Sequence, residues 1–155
     1  MLHHYFICAL LFTVLHYHPA LVRCQDLQSV LLEGASLHQQ QNLEGAELRY
    51  DYVLSLDPVQ PDALHLKGLA RHAAGDSDAG VDLISRAIQS QGVNEPTAAT
   101  MWSNLGEVYR ARNDLDKARS AHERAVALQP LSAATQFNYA EMLMDAGDLA
   151  EALDR

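Results

Sequence analysis

Histidine is the residue type in this chain best suited to catalysis or metal binding, and three histidines form a pattern. His38 and His72 lie 34 residues apart, and His65 precedes His72 by seven residues, which places His65 and His72 on one helix face. Side chains two turns apart are separated by about 10 Å along the axis, too far to share one zinc ion. The H-E-x-x-H spacing of zinc proteases is also absent. We therefore predict no metal site, and we expect His122 to be a partly buried core residue.

Carboxylates cluster near the middle and the end of the chain, and neither cluster fits a calcium loop. Such a loop needs alternating carboxylates, a central glycine and a terminal glutamate. We predict instead that these residues cap helices or face solvent; they are Asp76, Asp78, Asp82, Asp145, Asp148, Glu151 and Asp154. Beyond Cys24 the sequence also lacks a phosphate-binding glycine loop, a G-x-S-x-G elbow and a Cys/His pair. The chain as given is predicted to be non-catalytic and to need no cofactor.

The elements that position these residues follow from one stretch in the second half of the chain. It has W-x2-L-G-x2-Y spacing followed by small residues and a proline: Trp102, Leu105, Gly106, Tyr109, Ala118, Ala125 and Pro130. The spacing predicts two antiparallel helices, helix A over about 100–112 and helix B over about 115–128. Gly106 and Ala118 are small where the helices must cross. Between them, Asn113 can adopt the left-handed conformation and Asp114 can cap helix B.

The same pattern recurs along the chain at intervals of 34 residues, as a repeat requires. Stepping 34 residues forward from Gly106 reaches Ala140, and stepping 34 back from Gly68 reaches Gly34. Between Gly68 and Gly106 one shift of four residues is needed, which we assign to the loop from Gly92 to Pro96. The result is three full units and one partial unit, at residues 27–60, 61–94, 99–132 and 133–155.

These positions resemble the tetratricopeptide-repeat (TPR) family, whose 34-residue unit is a helix-turn-helix with this pattern. The resemblance covers about residues 27–155 and implies an all-α fold, in which antiparallel helix pairs stack as a right-handed solenoid. It also implies that a peptide binds along the concave surface formed by the A helices. The residues that match this surface are His38, His65, His72, Ser103, Asn104, Glu107, Arg110, Phe137, Asn138 and Glu141.

Two details of that surface bear on the ligand. Leu31 and Ala35 stand where some family members carry the Lys and Asn that clamp the terminal carboxylates of chaperones, so that partner is disfavoured. Asn104 and Asn138 recur one unit apart, and their amides could bind an extended peptide backbone. This resembles the asparagine ladder of O-GlcNAc transferases, although asparagine is also an ordinary residue of the family at this place.

Charge restricts the class of partner. The chain has 11 Lys and Arg against 20 Asp and Glu, a net charge of -9 and a pI near 5.2. Nucleic-acid binding needs clustered basic residues, so we predict no nucleic-acid partner. A basic or neutral peptide or protein suits an acidic solenoid better.

Residues 1–24 differ in kind from the rest. The run from Tyr5 to Leu15 has the length of the apolar core of a secretory signal peptide and is too short to span a bilayer unaided. Cleavage after Ala20 or Cys24 is expected, the latter leaving a chain that starts at Gln25. We expect a secreted or lumenal protein; the alternatives are a membrane anchor formed by residues 5–15, or a cytoplasmic protein if the leader is an artefact. Neither cysteine lies beyond residue 24, so no intrachain disulfide is expected.

Two functions of different classes are compatible with this pattern. The favoured one is a non-catalytic interaction scaffold that binds a peptide in its concave groove. The other is the amino-terminal repeat region of a longer enzyme, such as an O-GlcNAc-transferase-like glycosyltransferase, a sulfotransferase or an oxygenase. The apolar side chains of the partial last unit, among them Phe137 and Leu143, predict self-association through that unit.

The leader and the two functions are distinguished by the intact mass and the amino-terminal residue of the endogenous protein. We expect a chain that begins at Gln25 and ends at Arg155. A retained Met1 would contradict cleavage. A much larger mass would favour the longer enzyme.

Overall fold

The computed structural model describes residues 19–148. Seven helices occupy this range: α1 (Pro19–Gln39), α2 (Leu43–Leu56), α3 (Pro61–Ala73), α4 (Ser77–Gln89), α5 (Glu95–Ala111), α6 (Leu115–Leu128) and α7 (Ala133–Ala146). Helices α1/α2, α3/α4 and α5/α6 form antiparallel pairs, and each pair packs on the next element through its second helix. The predicted all-α solenoid of helix pairs is confirmed. The apolar run from Tyr5 to Leu15 lies outside the described residues, and both predicted cleavage points, after Ala20 and after Cys24, fall within α1.

The same turn ends the first helix of every unit. In each unit, one residue of this turn has a positive φ angle: Gln41 (62°), Gly75 (92°), Asn113 (60°) or Gly147 (84°). The next amide then donates to the carbonyl five residues earlier, for example from Asp76 to Arg71 over 2.9 Å. This bond satisfies a carbonyl that the end of the helix leaves without a partner. The left-handed conformation predicted for Asn113 is confirmed.

The cap predicted for the next residue is wrong in one respect. Asp114 stands at the start of α6 but makes no capping hydrogen bond to the helix. Its carboxylate instead accepts from Lys117 Nζ at 2.7 Å, because the lysine lies one turn along the same face. In the preceding unit Asp76 does cap, accepting from the Ala79 amide at 3.1 Å.

The four extra residues between the second and third units form an additional helical turn rather than a longer loop. Helix α5 has 17 residues where α3 has 13, a difference of four, and it begins at Glu95 rather than near residue 100 as predicted. Asn94 initiates the turn by accepting from the Thr97 amide at 2.9 Å. Pro96, predicted to lie in the loop, lies in the first turn, where a missing amide costs no helical hydrogen bond.

The helices of each pair approach closely at a glycine of the first helix. A Cβ atom built on Gly34 would lie 2.6 Å from the ring of Tyr50, and one on Gly106 would lie 2.6 Å from His122. On Gly68 it would lie 2.7 Å from Ile84. The three residues opposite the glycines stand at the same place in their units. The glycine therefore makes room for one large side chain of the second helix.

A continuous core runs along the stack. Three clusters of buried residues follow one another: the first includes Tyr50 and Val53, the second Ile84 and Leu105, and the third Tyr139 and Leu143. Leu54 packs against the first and second clusters, and Tyr109 packs against the second and third. His122 is fully buried, more than the partial burial we expected, because its ring fills the space above Gly106 and stacks on Tyr139 with centroids 6.2 Å apart. Among the described helices, none is long and apolar enough to cross a membrane.

Gly106→Ala tests the close approach in the third unit. Alanine favours a helix over glycine, so without a steric conflict the variant would be stabilised. We expect instead a loss of about 1–3 kcal/mol in the free energy of unfolding, because the buried imidazole of His122 must move. The measurement is chemical denaturation. In the His122→Ala background the same change should cost less, and an equal cost in both backgrounds would contradict the contact.

Candidate functional site

The first helices of the units, α1, α3, α5 and α7, contact one another in order and form one wall of the stack. The predicted site residues lie on these four helices. The structure shows how far each of them is already engaged within the protein.

The two asparagines predicted to bind a peptide backbone link neighbouring helices. Asn104 Nδ2 lies 2.9 Å from His65 Nε2, and Asn138 Nδ2 donates to Ser103 Oγ at 2.9 Å. Each bond therefore joins an asparagine to the preceding first helix, at one repeated place in the stack. Their amides retain capacity for a ligand, because an amide offers two donors and a carbonyl oxygen.

His65 and Ser103 are the buried ends of these links. Only 9% of His65 and 4% of Ser103 is exposed. Burial lowers the pKa of His65 below its ordinary value of 6.5, and the nearby Asp62 carboxylate opposes this shift. In the orientation found, the amide of Asn104 donates, so His65 Nε2 accepts and the ring is neutral.

Arg110 forms a charged bridge between α5 and α7. Its guanidinium donates to Asp145 Oδ2 at 2.6 Å and to Glu107 Oε2 at 2.6 Å. The hydrogen bonds to Asp145 and then to Glu107 raise the pKa of Arg110 further above its ordinary range. Two carboxylates already satisfy this cation, so it is poorly placed to clamp a third carboxylate from a ligand.

Glu107 connects this bridge to the core. Its Oε1 lies 3.2 Å from Nε2 of the buried His122, although the alignment is not that of a hydrogen bond. Burial raises the pKa of Glu107, but polar contacts with His122 and Arg110 outweigh it and leave the pKa below its usual value. The carboxylate is therefore ionised at neutral pH and fixed from two sides.

A cavity of about 330 Å³ opens between the first turns of α3 and α5. Its lining includes Asp62, His65, Thr97 and Thr100, with Met101 at its floor. The Asp62 carboxylate makes only a long contact, 3.5 Å, with Gln60 Nε2. This is a small polar depression with one carboxylate, suited to a hydrogen-bonding or cationic group.

The remaining predicted residues differ in how accessible they are. His72 Nδ1 lies 2.9 Å from Ser77 Oγ on α4, so its ring is engaged with the second helix of its own unit. His38 is half-buried in the last turn of α1. Phe137 is 61% exposed and lines a second depression of about 400 Å³, and Glu141 is exposed on the same helix. The ten predicted residues thus form a row along four helices and do not converge on one point.

Three polar residues that line the cavity between α3 and α5 were missed by the sequence analysis. Asp62 and Thr100 each lie three residues before a predicted site residue, His65 and Ser103, so the repeat spacing could have identified them. Thr97 had no such signal, because it lies in the extra helical turn of α5.

The arrangement offers hydrogen bonds and fixed charges but no reacting constellation. In the part of the chain that the structure describes, no group of three or more His, Cys, Asp or Glu side chains is placed to hold a metal ion. The row of polar groups with small depressions can bind a ligand.

A family model described as tetratricopeptide repeat matches residues 60–130 of the chain. These residues include the glycine crossings of the second and third units. A sequence search of curated proteins found no match.

Solved structures with the same architecture include a crystal structure of MamA, with 22% identity, 83% of this chain and 72% of that chain covered, and a TM-score of 0.68. The first TPR domain of Spaghetti (RPAP3), bound to an HSP90 peptide, is 15% identical, with 79% of this chain and 94% of that chain covered and a TM-score of 0.67. An O-GlcNAc transferase of Thermobaculum terrenum is 21% identical, with 77% of this chain and 22% of that chain covered and a TM-score of 0.69. At these identities the likeness concerns the fold alone.

The lowered pKa of His65 predicts a pH dependence of stability. Below pH 6.5 the unfolded chain takes up a proton that the folded chain resists, so stability is lost as pH falls from 6.5 towards the folded pKa. One such group contributes at most about 1.4 kcal/mol per pH unit. We expect denaturant unfolding at pH 7.5 and pH 5.5 to show a smaller pH dependence in His65→Gln than in the native chain. An unchanged pH dependence would contradict the neutral buried ring.

The family match, the repeated glycine crossings and left-handed turns, and the TPR structures of equal architecture agree. Residues 60–130 belong to the tetratricopeptide-repeat family, and the described residues have the fold of a TPR solenoid.

Proposed function

We propose that this protein is a non-catalytic scaffold that binds an extended peptide along the concave row on α1, α3, α5 and α7. The observation that carries the proposal is the row itself: polar side chains from successive first helices, with a cavity of about 330 Å³ beside Asp62 and a second of about 400 Å³ beside Phe137. A peptide laid across the helices would meet both depressions.

The polar links between helices support binding by keeping the row preorganised. The bonds Asn104–His65 and Asn138–Ser103 join α3, α5 and α7, and Arg110 adds an ion pair to Asp145. A surface whose side chains are already ordered loses less entropy when a ligand binds. The asparagines in this proposal align the helices and offer their remaining amide groups to the peptide.

The charges favour a neutral or basic peptide. Asp62 and Glu141 are carboxylates on this surface, whereas its central cation Arg110 is held by two carboxylates. A peptide that carries Lys or Arg near Asp62 would form a charge-assisted hydrogen bond there. The HSP90 peptide complex of the Spaghetti domain shows peptide binding by that protein, and the proposal extends only the mode of binding to this chain.

We further propose secretory targeting through residues 1–24, and self-association through the last unit. Self-association is supported by α7, where Phe137 is 61% exposed and Met144 58% exposed.

A second candidate function is that of a repeat region preceding a catalytic domain. It is supported by the likeness to the O-GlcNAc transferase, of which this chain covers 22%. The mass of the endogenous protein distinguishes this candidate from a small scaffold.

The concave site is tested with peptides selected from a random peptide library on the immobilised chain. Affinities are measured by calorimetry for Asp62→Lys and Glu141→Lys, with Asp82→Lys on the exposed side of α4 as the matched control. We expect charge reversal on the concave row to weaken binding at least about tenfold, because a like charge replaces a complementary one. The control should bind as the native chain does. Sedimentation velocity on the same samples measures self-association.

The proposal fails if the selected peptides are insensitive to both concave reversals. It also fails if Glu107→Gln, Arg110→Ala and Asn138→Ala all leave the affinities unchanged. A control variant that weakens binding as strongly as Asp62→Lys would place the peptides elsewhere.

A further inference from the structure

Helix α2 is apolar on two faces, although only one of them is buried. Ala46, Tyr50 and Val53 are fully buried against the neighbouring helices. On the outer side, Leu48, Tyr52 and Leu56 are 60%, 54% and 46% exposed. These three follow one another at intervals of four residues and so form one stripe along the helix. An exposed apolar stripe of this kind marks a candidate interaction surface.

The other units of the same chain provide an internal comparison. At the places equivalent to Leu48, Tyr52 and Leu56, the second unit has Asp82, Arg86 and Ser90, and the third has Ser120, Arg124 and Leu128. In α4 the first two form an ion pair at 3.5 Å, an ordinary solvated surface pair. The repeat therefore does not require apolar residues here, and the apolar stripe is a property of the first unit.

The stripe leads to a cavity beyond its carboxyl-terminal end. Val59, which is 65% exposed, and Asp57 lie just beyond Leu56 and line a cavity of about 580 Å³. Its apolar wall includes Pro61 and Leu64, and Arg86 of the next unit stands on its rim. A cavity of this size can accept a large side chain of a docked partner.

Charge selects among the partners that could cover the stripe. Helix α2 carries three carboxylates, Glu44, Glu47 and Asp51, and one cation, Arg49. Arg49 is paired with Glu33 on α1. Asp51 is paired with Lys67 and Glu47 with Arg71, both on α3. Among the described residues, the carboxylates at the two ends of the stripe, Glu44 and Asp57, take part in no ion pair. A second copy of α2, or an anionic membrane surface, would place like charges together.

The small area of this apolar surface also disfavours a second copy of the chain as the partner. The surface comprises four side chains, none fully exposed, and supplies less than the ~800 Å² that each partner buries in a standard interface. A single amphipathic helix lying along α2 needs only this stripe, with the cavity receiving one of its end residues.

We propose that the outer face of the first unit, formed by Leu48, Tyr52, Leu56 and Val59, docks an amphipathic helix of a partner protein whose apolar stripe is flanked by Lys and Arg. This surface is separate from the concave row, so the protein has two docking faces. The apolar stripe gives attraction, and the carboxylates beside it select a basic helix.

The test uses a synthetic 18-residue helix of Leu and Lys, with Leu on one face, and a matched Leu/Glu peptide. Binding is measured by fluorescence anisotropy to the full chain and to the variant Leu48→Gln/Tyr52→Gln/Leu56→Gln, which keeps every charge. The control is Met144→Gln, which removes an exposed apolar side chain from α7. We expect the triple variant to bind the Leu/Lys helix at least about tenfold more weakly, with the control unchanged. The Leu/Glu helix should bind the native chain more weakly than the Leu/Lys helix does.

Several results would overturn the proposal: no saturable binding to the native chain, equal binding by the triple variant, or an equal loss in the control. Preference for the Leu/Glu helix would overturn the assigned charge. If the native chain dimerises in sedimentation and the triple variant does not, the occupant is a second copy. If phosphatidylcholine/phosphatidylserine vesicles bind the native chain but not the triple variant, the stripe is a membrane surface. Thermal unfolding checks the fold of the triple variant, and Tyr52→Gln alone replaces it if its melting temperature falls. The triple variant and Tyr52→Gln leave every residue of the concave row unchanged. Loss of binding to the Leu/Lys helix in these variants is therefore independent of the proposed peptide site.

Discussion

The structure depends on one steric constraint, repeated along the chain: a glycine on the first helix of a unit lies directly beneath one large side chain of the second. Gly34 lies under Tyr50, Gly68 under Ile84 and Gly106 under His122. In the second unit the backbones themselves meet, since a Cβ on Gly80 would lie 2.9 Å from the carbonyl oxygen of Gly68. This proximity fixes the geometry of each pair, and the left-handed turn residue then lets the chain reverse within three residues.

Neighbouring units are joined differently, by a shared apolar core and by polar links across the first helices. Leu54 and Tyr109 bridge successive clusters of buried residues. Ion pairs such as Arg112–Asp78 and Arg119–Asp148 join adjacent units at the surface. Exposed pairs of this kind contribute little stability individually. The buried links of His65 and Ser103 matter more, because a buried polar group without a partner is costly.

These two kinds of contact leave the molecule with two chemically distinct surfaces. The row of side chains on the first helices is polar and carries carboxylates at Asp62 and Glu141. The outer face of the first unit is apolar at Leu48, Tyr52 and Leu56, where later units have mostly polar residues. A solenoid permits this division because residues outside the core contribute little to the packing of a unit and are free to differ between units.

By itself the sequence determined the architecture, because it depends on local and periodic features. Residue size at Gly106, the left-handed tendency of Asn113 and the 34-residue spacing each specify a helix pair without reference to distant contacts. Only the tertiary structure decided the partners of polar side chains: the engagement of Asn104 with His65, the diversion of Asp114 to Lys117, and the bond between His72 and Ser77. It also decided that four extra residues lengthen α5 and so bring Thr97 to the cavity beside Asp62. The physical reason is that repeat spacing fixes which face of a helix a residue occupies, whereas a hydrogen bond depends on distances of a few tenths of an ångström that only the packed helices set.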